Sequence, residues 1–200
     1  MVFDLYNTLI EIKEPNHFFL SLYKKSKDGF GLPVSSYLRL VMTSEVEKLS
    51  GTLPSDFFDL YDEHLDDLTS ELNSVVVYTE VVDVLEDLKS DFRIFLISNL
   101  ASPYKQPVYA YNLDKYFERM IFSCDYGFMK PDEKLFSEVE QVIHHAPNKI
   151  LMVGDSFKSD IIGARNMQWN YLMINRKLPI SRDYEIGSLD EIRKHITLFE

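Results

Sequence analysis

The second half of the chain carries a pattern that restricts it to a narrow group of folds. Short, almost continuous apolar runs at residues 92–97, 120–122, 150–153 and 171–174 alternate with stretches of helical periodicity. Strands that are buried on both faces have this composition, and helices between such strands are typical of parallel sheets covered on each side. The pattern therefore predicts an α/β fold with a parallel sheet between two helical layers.

The N-terminal segment adds one more strand to this sheet. Val2 and Phe3 lead into Asp4, and a polar turn follows before the chain becomes apolar again. Only three residues precede Asp4, so the first strand is expected to be short, or part of it is missing from this chain. At the end of a buried strand, Asp4 would lie where open α/β sheets bind ligands, as a nucleophile or a metal ligand. An aspartate that caps a turn is the alternative.

A helical segment separates this first strand from the rest of the sheet. Three apolar stripes with helical spacing lie within residues 18–23, 38–46 and 57–68, with glycine and proline between them, and no strand-like alternation is visible. Ser55 and Thr79 are predicted helix caps. We therefore divide the chain into an α/β core of residues 1–11 and 79–200 and an inserted all-helical module of residues 12–78.

Polar residues follow the predicted strands at the points where they end. Because the carboxyl ends of parallel strands open on one edge of the sheet, these side chains are expected to converge. Each of them alone is also compatible with a helix cap, a turn or an exposed lysine. The converging candidates are Asp4, Ser98, Asn99, Lys130, Asp155 and Asp160.

The combination matches the requirements of phosphoryl transfer. That reaction needs a nucleophile in line with phosphorus and cations that neutralise the equatorial oxygens. Asp4 and Asp155 together provide oxygen ligands suited to Mg²⁺. Lys130 supplies a further cation and Ser98 a hydrogen-bond donor.

Four segments in order resemble the motifs of the haloacid dehalogenase-like (HAD) hydrolases. They are residues 3–9 (FDLYNTL), 96–99 (LISN), 130–136 (KPDEKLF) and 153–164 (VGDSFKSDIIGA). The resemblance covers essentially the whole predicted core and implies a three-layer, Rossmann-like fold. The helical module after the first segment is similar to the cap that this family inserts there.

The resemblance also implies roles for individual residues. Asp4 would be the nucleophile that forms an aspartyl intermediate, and Ser98 and Lys130 would contact the transferred group. Asp155 and the backbone carbonyl of Tyr6 would join Asp4 as ligands of Mg²⁺. Asp160 would support the metal or pair with Lys130. The remaining candidates lie within the first two segments: Thr8 would fix the turn beside Asp4, and Asn99 stands next to Ser98.

Tyr6 departs from the phosphatase members of this family. They usually carry a second aspartate there, which protonates the leaving oxygen and later activates water. A phenol can donate a proton but is a poor base at neutral pH. Asp-x-Tyr is instead similar to the 2-haloacid dehalogenase branch, which uses no metal and places a cap arginine on the substrate carboxylate. Arg39 is a candidate for that arginine, although an arginine on a helix is usually solvated.

Asp155 favours the phosphatase over the dehalogenase. The dehalogenase branch resembles Ser-Asn where this chain has Gly154-Asp155. Without a metal, a second carboxylate beside Asp4 would raise both pKa values by like-charge repulsion and weaken the nucleophile. We therefore predict a Mg²⁺-dependent phosphatase of a small metabolite, slow or selective for good leaving groups. A metal-independent dehalogenase and a catalytically weak binding protein remain alternatives.

Composition limits which binding partners and which cellular compartment are expected. A net charge of −11 disfavours nucleic acid and anionic membranes as partners. Cys124 is the only cysteine, which excludes an internal disulfide and fits a reducing compartment. No leader-like segment precedes Asp4 and no apolar run approaches the roughly 20 residues of a membrane helix. We therefore expect a cytoplasmic monomer or homodimer that binds a small-molecule substrate.

Overall fold

The computed structural model describes residues 1–176 and 180–196. Within them a six-stranded sheet has the order β5-β4-β1-β6-β7-β8, and every neighbouring pair is parallel. A two-stranded antiparallel ribbon pairs β2 with β3. The strands are β1 (Val2–Phe3), β2 (Ile10–Ile12), β3 (Val75–Val77), β4 (Phe95–Ser98), β5 (Arg119–Phe122), β6 (Leu151–Gly154), β7 (Asn170–Ile174) and β8 (Glu185–Ile186).

Ten α-helices within the described residues complete the fold. They are α1 (Phe18–Lys25), α2 (Val34–Met42), α3 (Ser55–Glu63), α4 (Leu65–Asn73), α5 (Val81–Lys89), α6 (Gln106–Ala110), α7 (Ser123–Tyr126), α8 (Glu133–Ile143), α9 (Ile162–Asn166) and α10 (Ile192–Ile196). A π-helical turn, Phe157–Ile161, runs directly into α9. In the part of the chain that is described, every helix is too short or too polar to cross a lipid bilayer.

The large sheet separates two apolar cores, as expected for strands buried on both faces. Val2 packs on one side with Met152 and Phe136, whereas Phe3 packs on the other side with Leu96 and Val153. This alternation follows from the period of two along a strand. The predicted three-layer α/β architecture is thus confirmed.

A third apolar core lies inside the segment between β2 and β3. It consists mainly of aromatic and aliphatic side chains of this segment, including Phe18, Tyr37 and Phe57, all nearly or fully buried, and Ala101 after β4 joins it. The helical module therefore has its own core. The division at residues 11 and 79 stays a prediction.

Local details differ from the predictions, beginning with β8, a strand of the large sheet that was not predicted from the sequence. The ribbon β2–β3 lies where we expected helix only, at both ends of the inserted segment. Ser55 and Thr79 do not cap helices: α3 begins at Ser55 itself, and α5 follows Glu80, without a side-chain cap hydrogen bond in either case. The third apolar stripe is divided between α3 and α4 at His64.

Candidate active site

Asp4 is the first residue after β1 and lies at the carboxyl edge of the sheet. Its backbone N–H donates to the carbonyl of Val153 on β6 at 2.9 Å, which fixes the chain at the strand end. The side chain is buried, with 6% of its surface exposed. A buried carboxylate requires charged or hydrogen-bonding partners, and several strand ends supply them.

Lys130 is the cationic partner of Asp4. Its Nζ donates to Asp4 Oδ1 at 2.5 Å and to the Ile97 carbonyl at 2.9 Å, and it lies 2.6 Å from Asp160 Oδ1. Burial alone would lower the pKa of this ammonium group, but the charges of Asp160 and Asp4 outweigh that effect and raise the pKa. Lys130 is therefore a buried, positively charged bridge between two carboxylates.

Two residues at the end of β4, Ser98 and Asn99, hold this arrangement from a second side. The Asn99 amide donates from Nδ2 to the Lys130 carbonyl at 2.9 Å and accepts the Lys130 N–H on Oδ1 at 2.7 Å. The peptide bond between Lys130 and Pro131 is cis. Ser98 Oγ donates to Asp4 Oδ1 at 3.2 Å. Asn99 thus positions Lys130, whereas Ser98 contacts Asp4 itself.

The turn after Asp4 supplies a hydrogen bond to the second carboxylate oxygen of Asp4. Thr8 Oγ1 donates to Asp4 Oδ2 at 3.4 Å, and Thr8 is fully buried. Asn7 has a φ of 61°, a left-handed conformation that asparagine tolerates better than most residues.

Two further carboxylates, Asp155 and Asp160, complete the cluster. One oxygen each of Asp4, Asp155 and Asp160 lie within 4.8 Å of one another. Burial and then the charges of Asp4 and Asp160 raise the pKa of Asp155 to about 6. Burial likewise raises the pKa of Asp160, against the opposing effect of Lys130.

The donor set fits a divalent cation. Three carboxylates against one ammonium group leave an excess of negative charge in a largely buried space. Oxygen ligands of this kind suit Mg²⁺, which favours carboxylates. Lys130 contacts both Asp4 and Asp160, and the Ser156 N–H also donates to Asp160, so Asp155 is the carboxylate of the three without an ion pair to this ammonium group.

Tyr6 is oriented differently from the other candidates. Its hydroxyl donates to the carbonyl of Tyr104 at 2.9 Å, and burial followed by the charge of Glu71 raises the pKa of Tyr6 above its ordinary value. Arg39 is an exposed residue of α2. The role of the Tyr6 carbonyl as a metal ligand stays a prediction.

A cavity of about 350 Å³, here called the cap-side pocket, adjoins the site. Tyr6, two residues after Asp4, and Asn99, which follows Ser98, line it. Glu71, His17 and Tyr104 line it as well. The rest of its wall is apolar: Ile12, Phe19, Leu20, Leu38, Val41, Met42, Leu100 and Ala101.

Two residues near the site escaped prediction from sequence. Arg176 follows β7 and donates from Nη2 to the Thr8 carbonyl at 2.7 Å and from Nη1 to Glu80 at 2.7 Å. Glu71 is buried on α4, three residues after Leu68 on the apolar face. In the sequence, the signal for Arg176 was its position just after a predicted strand. The signal for Glu71 was a charged residue within an apolar stripe.

Comparison with known proteins gives matches along most of the chain. A family model described as haloacid dehalogenase-like hydrolase matches residues 1–168. A glyceraldehyde 3-phosphate phosphatase of Methanothermobacter thermautotrophicus is 28% identical over 50% of this chain and 46% of its own length. A phosphoglycolate phosphatase of Aquifex aeolicus is 27% identical over 100% of this chain and 99% of its own. The crystal structure of a HAD phosphatase from Thermococcus onnurineus superimposes with a TM-score of 0.70 at 24% identity, covering 98% of this chain and 96% of that one.

Proposed function

The chain belongs to the haloacid dehalogenase-like hydrolase family, and from that membership we propose that it is a Mg²⁺-dependent phosphatase of a small phosphorylated metabolite. The observation that carries the proposal is the buried contact of Asp4 with Lys130, with Asp155 close by. The names of two matched relatives, both phosphatases, support the same reaction class.

Asp4 is the nucleophile in this proposal. One carboxylate oxygen forms the bond to phosphorus while the bond to the leaving oxygen breaks, which gives an aspartyl phosphate. Water then attacks phosphorus, and inorganic phosphate and free Asp4 are produced. Splitting the reaction into two steps is the general advantage of covalent catalysis.

The neighbouring side chains neutralise and orient the phosphoryl group. Lys130 offsets the repulsion between the Asp4 carboxylate and a dianionic phosphate, because its ammonium already contacts Asp4. Ser98 and Thr8 direct their hydroxyl donors to the two carboxylate oxygens. Asn99 holds the Lys130 backbone at both its N–H and its carbonyl.

Asp4, Asp155 and the Tyr6 carbonyl would hold Mg²⁺, and Asp160 would act through Lys130 and the Ser156 N–H. When bound, the ion supplies charge neutralisation for the transferred phosphoryl oxygens. The excess of carboxylates over ammonium groups supports this assignment.

Protonation of the leaving group is the step that this site supports least. The Tyr6 hydroxyl is engaged by the Tyr104 carbonyl, and burial raises its pKa, so it is a poor acid and a poor base. The proposal therefore includes slow turnover, or selectivity for leaving groups that depart without a proton.

The 2-haloacid dehalogenase remains the second candidate because of Tyr6. Two observations oppose it. Asp155 lies beside Asp4 without a role in that metal-free reaction, and Arg39 is exposed instead of lining the cap-side pocket. A binding protein without activity is the third candidate.

The test is hydrolysis of p-nitrophenyl phosphate with and without EDTA, with restoration by Mg²⁺. We expect EDTA-sensitive release of nitrophenol and its loss in Asp4→Asn with the circular dichroism spectrum unchanged. EDTA-insensitive release of halide from 2-chloropropionate would instead support the dehalogenase. Neither activity at high enzyme concentration would support the binding protein, and activity retained by Asp4→Asn would contradict both catalytic assignments.

A cytoplasmic location and a monomeric or homodimeric state complete the proposal. Cys124 is buried, and burial raises the pKa of its thiol to about 12, which is typical of an inert structural thiol. Size-exclusion chromatography with light scattering would determine the oligomeric state.

A further inference from the structure

The cap-side pocket reaches the loop after Asp4 and the end of β4, because Tyr6 and Asn99 line it. Its volume of about 350 Å³ is near the lower end of the roughly 300–1,000 Å³ typical of small-molecule sites. Apolar side chains of α1, α2 and the segment after β4 form most of its wall, among them Leu20, Leu38, Val41 and Leu100. A ligand group in this pocket would therefore contact mainly hydrocarbon.

The polar side chains that line the pocket are largely occupied by partners within the protein. The Tyr6 hydroxyl donates to the Tyr104 carbonyl, and the Tyr104 hydroxyl donates to Glu71 Oε2 at 2.9 Å. The Asn99 amide is bound at both ends to the Lys130 backbone. These groups complete one another's hydrogen bonds and need none from a ligand.

Charge in the pocket disfavours an anionic ligand group. The described residues that line it include no lysine or arginine, whereas Glu71 is a buried carboxylate. Glu71 accepts the N–H groups of His17 and Phe18 at 3.1 Å each, at the start of α1. A second anion here would lose its hydration without gaining a cation and would be repelled by Glu71. His17 also lines the pocket, but its side chain is exposed.

We propose that the substrate carries an uncharged, apolar organic group, which occupies the cap-side pocket while the phosphate lies at Asp4. This inference rests on the proposed phosphatase function. It excludes substrates whose organic part carries a carboxylate or a second phosphate. The wall of Leu38, Val41 and Leu100 and the buried Glu71 are the features that impose this choice.

Phenyl phosphate and 4-carboxyphenyl phosphate provide a matched test, because they differ in charge and have leaving groups of similar basicity. The assays are run at pH 8, above the range in which an ordinary imidazole carries a charge. We expect kcat/KM for phenyl phosphate to exceed that for the carboxylated ester by about tenfold or more. Acetyl phosphate has no ring to place in the pocket, so its hydrolysis measures the activity of the reaction centre alone. The rate with Asp4→Asn is subtracted as the background.

A cation placed in the pocket should change this preference. In Leu38→Lys we expect kcat/KM to fall for phenyl phosphate and to rise for 4-carboxyphenyl phosphate, so that their ratio drops by about tenfold or more. Ser36→Lys adds the same charge to an exposed position of the same helix and should leave the ratio unchanged. The comparison of the two esters on the unmodified protein does not depend on either variant folding.

The outcomes separate this inference from the proposed function. Hydrolysis of acetyl phosphate together with equal or better use of the carboxylated ester would overturn the inference and leave the phosphatase standing. Release of phosphate from none of the three compounds would overturn the phosphatase and the inference with it. A ratio that changes equally in Leu38→Lys and Ser36→Lys would contradict the placement of the organic group in this pocket.

Discussion

At Gly154, the missing side chain leaves the space that the Asp160 carboxylate fills. A Cβ atom there would lie 2.3 Å from Asp160 Oδ2, far inside the normal contact distance. Asp160 is fully buried and pairs with Lys130, so it has no free space into which to move. The glycine is therefore a steric requirement of the carboxylate cluster.

Gly154→Ala should displace Asp160 and weaken its hold on Lys130. We expect the free energy of unfolding to fall by about 1–3 kcal/mol, as for other overpacked sites, and phosphatase activity to fall as well. Urea denaturation and p-nitrophenyl phosphate hydrolysis measure the two effects. Gly51→Ala is the matched control, since nothing lies within 4 Å of a Cβ at Gly51. Equal behaviour of the two variants would contradict the steric argument.

At the scale of elements, Arg176 joins β7 to the loop after Asp4 and to residues 78–80, here called the return segment because it follows β3 and leads back from the helical module to the core. It reaches the Thr8 carbonyl and Glu80, and its guanidinium lies 3.5 Å from the centre of the Tyr78 ring. Thr8 in turn contacts Asp4. One side chain thus couples the position of the return segment to the loop that holds the nucleophile.

Arg176→Ala should cost both stability and activity. Loss of the partly buried pair with Glu80, the Thr8 contact and the ring contact is expected to lower the free energy of unfolding by about 2–4 kcal/mol. Because the Thr8 loop loses its support, kcat should fall, and Arg176→Lys should restore it only in part. Arg193→Ala, which removes exposed ion pairs with Asp87 and Asp91, serves as the control and should change little. Unchanged kcat in Arg176→Ala would show that the arginine is structural only.

Glu71 connects the helices of the inserted segment to the core. It accepts hydrogen bonds from the two N–H groups at the start of α1 and from the Tyr104 hydroxyl. In Glu71→Gln one acceptor oxygen becomes an amide that opposes a donor, so we expect a loss of about 1–3 kcal/mol in unfolding free energy. Denaturant titration measures it, with the exposed Glu63→Gln as control. A loss of the same size in the control would refute the role of Glu71.

The sheet and the residues at its strand ends were predictable because they depend on local patterns. Continuous apolar runs define buried strands, and a parallel arrangement brings their ends together without knowledge of any contact. The ribbon β2–β3 was missed because each of its strands has three residues, too few to show a period. Arg176 and Glu71 were missed because their partners lie far away in sequence. Arg176 is 168 positions from Thr8, and Glu71 is 33 positions from Tyr104.

At the scale of the whole molecule, the carboxylate cluster links the ends of separate strands, so a cation bound there should stabilise the folded chain. Binding to the folded state alone adds about 2.7 kcal/mol when the free cation is at 100 times its dissociation constant. For a chain of this length, that corresponds to a rise in melting temperature of roughly 5–10 °C. The measurement is a thermal unfolding scan with and without Mg²⁺, which needs no substrate.

The control for this prediction is Asp155→Asn, which removes the carboxylate that Lys130 does not pair with and keeps the shape of the side chain. The rise with Mg²⁺ should largely disappear in this variant, while its melting temperature without Mg²⁺ should not fall, because like-charge repulsion with Asp4 is relieved. A net charge of −11 means that Mg²⁺ also associates loosely with exposed acidic side chains, for example on α3 and α4. An equal rise in both proteins would assign the effect to that surface and contradict a metal site at Asp4 and Asp155.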